Sequence, residues 1–284
     1  MHLSEKALLV HLSISQWTAK KLDRKASDQV ASANQATTAA GNYNKSLLPT
    51  YDKLELVKAK TSEIRKRFYA NTLPWGIEGM QILPSANYLG FTTEFRKEKG
   101  IWQGRVNDFI SGYDKAHADA QRLLGSLYNA SDYPLTKDLR AKFAIHMSWM
   151  PVPMDGDFRV DLADEERQAI ASEAAQQVAA GAEAAMKAVW ERLHEKVTWL
   201  IGRLADPKNT FHDQTYKDAK DTCDLLGKLN FTDDPNLEQM RMEVRHSLLN
   251  FHPDTLRNDP DVRRSTAVEA RAISEKMKVF MGGV

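Results

Sequence analysis

The longest regular pattern in the chain begins at Asp164 and constrains the fold more than any other feature. An acidic first turn suits the positive end of a helix. Apolar residues then recur three or four positions apart, as they do along one face of an α-helix: Val178, Ala182, Ala185, Val189, Leu193, Val197, Leu200 and Leu204. A continuous helix from Asp164 to Leu204 would be about 60 Å long. Such a rod must bury its apolar face against other helices or against another copy of the chain.

A second stripe, richer in aromatic residues, predicts another long helix that begins near Ser85 and runs on to Leu127. Gly100 and Gly104 are its weak points. The stripe is spaced like a heptad repeat and comprises Tyr88, Phe91, Phe95, Trp102, Val106, Phe109 and Tyr113. We expect this helix to pack against the Asp164–Leu204 helix, unless a second copy takes that place.

The N-terminus reads as a strand, which is unexpected in a chain of helical patterns. Between Ala7 and Ile14 the residues begin to alternate between apolar and polar, and "GMQILP" at 79–84 is a second short strand that can pair with the first. A two-stranded pair is marginal alone, so it must rest on helices. Trp17 is expected to close a core at the end of the strand, and Thr18 to cap a helix reaching Ala36.

The remaining helices complete a mainly α fold. Only 14 glycines and 10 prolines occur in 284 residues, which favours long helices over a strand-rich sandwich. The prediction is an elongated bundle of long antiparallel, coiled-coil-like helices with a small two- or three-stranded β element formed by the N-terminus and residues near 80. Its further helices are Thr50–Leu73, Leu135–Ile145, Gln214–Leu229, Asn236–Phe251 and Asp261–Met281.

The segment "HMSWMPVPMDGDFRV" is the clearest interruption of the helical pattern. Two prolines forbid a helix and favour an extended path. We therefore divide the chain into an N-terminal strand plus helical hairpin region (1–148), a proline-rich connector (149–160), and a long helix with a C-terminal helical region (161–284), which could pack as one domain. Bulky apolar side chains on a stiff loop predict a docking patch, namely Trp149, Met150, Val152 and Met154. The alternative is a loop folded over the helices.

Composition excludes several classes of protein. The formal net charge is +1, without the basic excess of a protein that coats nucleic acid. A single cysteine, Cys223, rules out an internal disulfide and indicates a reducing cytosol. No apolar run approaches the roughly 18 residues of a membrane span, and the N-terminus lacks the features of a signal peptide. We expect a cytoplasmic protein without membrane contacts.

No motif predicts a reaction. Histidines are not spaced as a helical metal pair, and neither a nucleophile elbow nor a phosphate-binding glycine loop occurs. Cys223 lies between Asp221 and Asp224, where negative charge raises the pKa of a thiol and dulls it. The sequence therefore predicts a non-enzymatic protein with no cofactor and no metal, although a site assembled from distant residues stays open.

One helix offers a candidate contact for nucleic acid. Between 45 and 69 there are seven basic residues and three acidic ones, a balance of +4. Basic side chains beside aromatic ones can hold a phosphate backbone and stack a base; the candidates are Lys58, Lys60, Arg65, Lys66, Arg67 and Tyr69, next to Phe68. The alternative is a solvated helix face with Phe68 in the core. Arg263 and Arg264 open the last helix and suit an acidic protein partner equally well.

Three blocks resemble a family of uncharacterised phage and bacterial proteins, a domain of unknown function. The blocks are "LLVHLSISQWTAKK", "RFYANTLPWGIEGMQILP" and "FTTEFRKEKGIWQGRVNDFISGYDKA". In that family a strand typically ends in a Ser-x-Trp-Thr-like corner. Members tend to be encoded beside a MoxR-like AAA+ ATPase and a von Willebrand factor A protein similar to cobalt-chelatase subunits. The resemblance implies a phage protein of the host cytoplasm that is an adaptor or substrate of a remodelling ATPase.

The leading functional prediction is a non-enzymatic phage protein that acts through protein–protein contacts. It would be a scaffold, an adaptor or an oligomer-forming component of a MoxR-like AAA+ system, and its partners would be further copies of itself or a phage or host protein. The alternative is a protein that binds single-stranded nucleic acid through residues 58–69.

Overall fold

A computed structural model describes residues 3–154, 163–205 and 213–282. The chain is mainly helical with a small antiparallel sheet, so the predicted fold class is confirmed at that level. None of the described helices is both long enough and apolar enough to cross a membrane. The elements are α1 Leu3–Lys6, β1 Ala7–Ser15, β2 Lys20–Leu22, α2 Arg24–Ala33, β3 Asn44–Ser46, α3 Lys53–Asn71, β4 Leu73–Pro74, β5 Met80–Pro84, α4 Ser85–Ser111, α5 Tyr113–Leu124, α6 Thr136–Leu139, β6 Ala144–Pro151, α7 Asp164–Ala205, α8 Asp213–Leu229, α9 Pro235–Ser247, α10 Pro253–Asn258 and α11 Pro260–Phe280.

The main sheet has the strand order β4-β5-β1-β6. β1 and β5 are antiparallel, with Leu9 opposite Ile82 and His11 opposite Met80, so the predicted pairing of the N-terminal strand with residues near 80 is confirmed. The sheet has four strands rather than the predicted two or three, because both β4 and β6 join the β1–β5 pair. β6 replaces the end of the predicted Leu135–Ile145 helix, of which only α6 is an α-helix.

The described residues cluster into two compact units that interleave along the sequence. The first unit draws on Met1–His11, Phe68–Thr92 and Ser148–Val284, and the second on Leu12–Arg67 and Thr93–Met147. The predicted division into 1–148, 149–160 and 161–284 follows the order of the chain. Each of the two units, by contrast, is assembled from several separate segments of the chain. Residues 155–160 of the predicted connector lie outside the described residues.

The core of the first unit forms on α7. Its seam is buried from Ala185 to Leu204, as the spacing predicts, and it packs chiefly on α11, with further contacts to α8 and α9. Within the chain, this half of α7 thus packs on α11 rather than on the predicted Tyr88–Tyr113 helix; the predicted alternative, a second copy, stays a prediction. The Trp75 ring packs closely against the α7 backbone at Gly181, where a Cβ would lie 3.1 Å from the ring.

Helix ends in the first unit follow from side-chain capping. Asp234 and Asp259 cap α9 and α11, and each is followed by a proline at the first helical position, where the missing N–H costs nothing. The predicted Asn236–Phe251 helix ends at Ser247. A short helix that was not predicted, α10, follows it, with His252 as its N-cap.

The core of the second unit forms on the C-terminal part of α4. Trp102, Val106 and Phe109 are buried there, and so is Tyr113 at the start of α5. The Trp17 ring lies 5.7 Å from Tyr113 and 6.3 Å from Phe109, so Trp17 closes this core as predicted. Thr18 does not cap a helix, because β2 comes first and Asp23 caps α2.

The aromatic helix breaks later than predicted. α4 ends at Ser111 and α5 begins at Tyr113, so the break is at Gly112 and neither Gly100 nor Gly104 interrupts the helix. The Tyr51 hydroxyl donates to the Phe109 carbonyl at 2.8 Å and would lie 2.3 Å from a Cβ at Gly112. Tyr51, 61 positions earlier, thus requires a glycine at position 112. The spacing of neighbouring residues in the sequence does not reveal this requirement.

Candidate docking surface

The predicted docking residues 149–154 do not form one loop. Trp149 and Met150 belong to β6, at one end of the strand order, and are 37% and 45% exposed. Val152 is buried in the core of the first unit, so its side chain is not available to a partner. Met154 is exposed and lines a groove of about 670 Å³ together with Leu3 and the alanine-rich face of α7.

Trp149 belongs to a continuous string of aromatic rings. Its ring centroid lies 5.5 Å from that of Tyr88 in an edge-on arrangement and 6.5 Å from that of Phe91. Phe91 and Phe68 are 6.2 Å apart, and Phe68 and Tyr69 are 5.2 Å apart. Edge-on pairs of this kind add favourable electrostatics to the buried area. The string therefore connects one predicted site, at Tyr69, with the other, at Trp149.

The middle of the string is buried and its two ends are exposed. Phe68 and Phe91 are core residues, whereas Tyr88 and Tyr69 are 37% and 51% exposed. Leu89, the residue after Tyr88, is 75% exposed. We call these exposed residues, Tyr88 and Leu89 of α4 with Trp149 and Met150 of β6, the aromatic surface; the ring contact between Tyr88 and Trp149 joins the two elements. Leu89 lay outside the predicted set because it is one position away from the apolar stripe of α4.

Few charges occur in the segments that build this surface. Between Phe68 and Thr92 the only charged residue is Glu78, and between Ser148 and Met154 there is none. An exposed apolar surface built from segments with few charges of their own is typical of a contact surface that works by burial rather than by ion pairing.

A half-buried arginine fixes the backbone beside Tyr69. The guanidinium group of Arg192, on α7, donates to the carbonyls of Tyr69, Ala70 and Thr72 at 3.0, 3.1 and 2.8 Å. These carbonyls lie at the C-terminal end of α3 and would otherwise lack partners. Burial lowers the pKa of Arg192, and the nearby Glu195 partly offsets this effect.

Two further side chains satisfy the remaining carbonyls at this helix end. Asn87 Nδ2 donates to the Asn71 carbonyl at 3.0 Å, and Thr72 Oγ1 donates to the Phe68 carbonyl at 2.9 Å. Every carbonyl from 68 to 72 therefore has a side-chain donor. Asn87 precedes Tyr88 directly, so this capping fixes the start of α4 where the aromatic surface begins.

The five basic candidates of α3 are for the most part engaged within the second unit. Lys60 is 4% exposed and pairs with Glu98 and Glu63; burial lowers its pKa, but these carboxylates outweigh burial and the pKa is raised. Lys58 pairs with Glu55 at 2.7 Å, and Arg67 pairs with Glu94 at 3.0 Å.

Arg65 and Lys66 are the two remaining basic candidates. Arg65 donates to the Ile14 carbonyl at 3.5 Å. Lys66 is exposed, and the described residues give it no ion pair. The +4 balance of this stretch therefore does not correspond to an open row of cations, because charge counting cannot distinguish exposed lysines from a buried one.

The other chemically active groups show no convergent site. Cys223 is buried, and burial raises the pKa of its thiol to about 11. Within residues 3–154, 163–205 and 213–282, no three histidine, cysteine, aspartate or glutamate side chains come together as metal ligands would.

No model of a known protein family, no curated protein and no solved structure matches this chain. Function is therefore inferred from the geometry of the molecule and from its sequence.

Proposed function

We propose that this chain is a non-enzymatic protein that acts through protein–protein contacts, with the aromatic surface as its contact face. The observation that carries the proposal is the exposed Tyr88–Trp149 ring pair, with Leu89 following Tyr88 on α4. Asn87, directly before Tyr88, ties the start of α4 to the capped C-terminal end of α3. Tryptophan and tyrosine in rigid positions are the side chains that dominate protein interfaces.

The size of the surface sets the kind of contact it supports. With about 150–250 Å² for each fully exposed large side chain, the exposed fractions of Tyr88, Leu89, Trp149 and Met150 leave roughly 400 Å² open. At about 25 cal/mol per Å² its burial contributes about 10 kcal/mol, which is comparable to the cost of about 4–15 kcal/mol for association. The aromatic surface is therefore the centre of an interface that needs a surrounding rim.

We assign the chain the role of a scaffold, an adaptor or an oligomer-forming component. Its own fold would be a bundle of coiled-coil-like helices. The three blocks that resemble the phage and bacterial family support a MoxR-like AAA+ ATPase as its partner and a phage origin. That context corresponds to the cytoplasm of the host cell. A single cysteine that is buried agrees with a reducing compartment.

The test is the mass of the native assembly, measured by sedimentation velocity for the chain alone and with the MoxR-like ATPase, with and without nucleotide. We expect a defined homo-oligomer or a stable complex that Leu89→Ser and Trp149→Ser weaken. Leu135→Ser is the matched control, because Leu135 is 62% exposed and belongs to the second unit. A chain that stays monomeric and binds no ATPase, or an assembly indifferent to both variants, would refute the proposal.

The alternative function is binding of single-stranded nucleic acid through α3. It has one specific observation in its favour, since Lys66 and Tyr69 are both exposed and follow three positions apart on one helix. Binding should then weaken with added salt and with Lys66→Gln. Absence of any binding to single-stranded DNA or RNA at low salt would eliminate it.

A further inference from the structure

A second surface feature of the first unit is independent of the aromatic surface. The end of α7 and the start of α11 enclose a groove of about 270 Å³. Four of its nine lining residues are arginines, Arg257, Arg263, Arg264 and Arg271, and the remainder are aliphatic side chains and a proline. In the described part of the chain no carboxylate lines it.

Two of the arginines form fixed walls. Arg263 is 8% exposed and donates to the Leu204 and Arg203 carbonyls at 3.1 and 2.8 Å, so it caps the C-terminal end of α7. Arg257 is held by ion pairs with Asp213 and Asp254. Neither side chain can leave the groove without breaking these contacts.

The other two arginines face solvent. Arg264 and Arg271 are seven residues apart on α11, which is two turns or about 10 Å, and Val268 lies between them on the same face. Arg264 is 77% exposed and has one carboxylate, Asp261, at 3.4 Å. Glu275, the acidic residue within helical reach of Arg271, accepts a hydrogen bond from Lys278 Nζ at 2.7 Å.

The charge of the groove comes from its side chains. Arg264 lies beyond the first turn of α11, and the carboxylate of Asp259 caps the N–H groups of Asp261 and Val262 in that turn, so the helix dipole adds little here. Asp213, Asp254 and Asp261 border the groove and lower the sum of charges, but they approach Arg257 and Arg264 from outside the lining. Two guanidinium groups therefore stay available above an apolar floor.

We propose that this groove binds a phosphorylated small molecule, with the phosphate held by Arg264 and Arg271 and the organic part resting on Val268. Guanidinium groups match the geometry of phosphate oxygens with paired hydrogen bonds. The volume suits one phosphate and a small body, because ligand pockets for drug-sized molecules begin at about 300 Å³.

The experiment is calorimetric titration of the full chain with inorganic phosphate and with adenosine monophosphate at about 0.15 M ionic strength. We expect binding in the millimolar range or tighter, weakened about tenfold or more in Arg264→Gln and in Arg271→Gln, because each loses a charge-assisted contact. Val268→Glu, at a position that is 60% exposed, places a carboxylate in the groove and should abolish binding. Thermal melts of each variant confirm that it is folded.

Arg122→Gln is the control, because Arg122 is 76% exposed and has an aspartate three residues earlier at 3.8 Å, like Arg264. Unchanged binding in this variant supports the groove. Tighter binding of the nucleotide than of phosphate supports a phosphorylated ligand, and equal binding assigns the site to the phosphate group alone. No binding by the wild type, or equal loss in Arg122→Gln, overturns the proposal without touching the proposed function.

Discussion

Replacing Arg192 by methionine tests the support of the aromatic surface. The variant keeps the aliphatic stem in place but removes all three hydrogen bonds to the end of α3. Thr72 is fully buried, so its carbonyl is left without water, at a cost of about 1–3 kcal/mol. Tyr69 and Ala70 are exposed and water can replace the arginine there, which reduces each loss to about 0.5 kcal/mol. The expected destabilisation is about 2–4 kcal/mol.

Urea denaturation followed by tryptophan fluorescence and by circular dichroism measures this loss, and coincidence of the two transitions shows whether a single free energy applies. Arg192→Lys should lose about 1–2 kcal/mol, since an ammonium group keeps the charge but lacks the planar fork. Arg167→Met, on the same helix at a half-exposed position, should change stability by less than about 0.5 kcal/mol. A loss below about 0.5 kcal/mol in Arg192→Met would refute the capping role.

The other predictions concern single sites with a defined cause. Gln35 has φ of +52° just after α2, so Gln35→Gly should raise the melting temperature through about 0.5–1 kcal/mol of relieved strain; a lower melting temperature would contradict it. Lys60→Met removes the lysine partner of the buried Glu98 and leaves it the 3.7 Å contact with Arg67, so it should cost at most about 3–5 kcal/mol in urea, most of it recovered in the double variant with Glu98→Leu. Burial raises the pKa of Tyr216 to about 12 and that of Tyr133 to about 12. Both folded pKa values exceed that of an unfolded tyrosine, so the two neutral phenols contribute stability that is fully present below a pH of about 10 and is lost as the pH rises toward about 12. Melting temperatures measured across this pH range, together with tyrosinate absorbance, check the prediction.

Local pattern was sufficient wherever a helix buries one face. The α7 seam, α8 and α11 were predicted within one to three residues because their apolar spacing and their prolines are features of the segment itself. The pairing of β1 with β5 was also predictable, because two short strands in a helical chain have few other partners.

Features that depend on distant residues were not predictable in this way. β6 resembled a helix end followed by a loop, since its strand character comes from its place in the sheet. Tyr51 leaves no room for a side chain at Gly112, where the helix breaks, and Arg192 caps α3 from 120 residues away. The interleaving of the two units likewise follows from contacts between remote segments.

The candidate sites show the same division. Trp149 was singled out from its bulk and from its neighbouring prolines, but its contact with Tyr88 required the fold. Tyr88 was assigned to a buried stripe, whereas the structure leaves it 37% exposed. The apolar stripe of the sequence extends beyond the part of the helix that the core covers. Lys60 was counted among open cations although Glu98, 38 positions later, takes it into the interior.

Hydroxyl-radical footprinting of the native assembly against the isolated chain tests the central claim most directly. Side-chain oxidation reports exposure residue by residue, so a contact surface becomes protected when it is covered. We expect protection of Tyr88, Leu89, Trp149 and Met150 in the assembly, with Leu135 oxidised equally in both samples. Equal oxidation of the aromatic surface in both, with protection elsewhere on the chain, would contradict its role as the contact face.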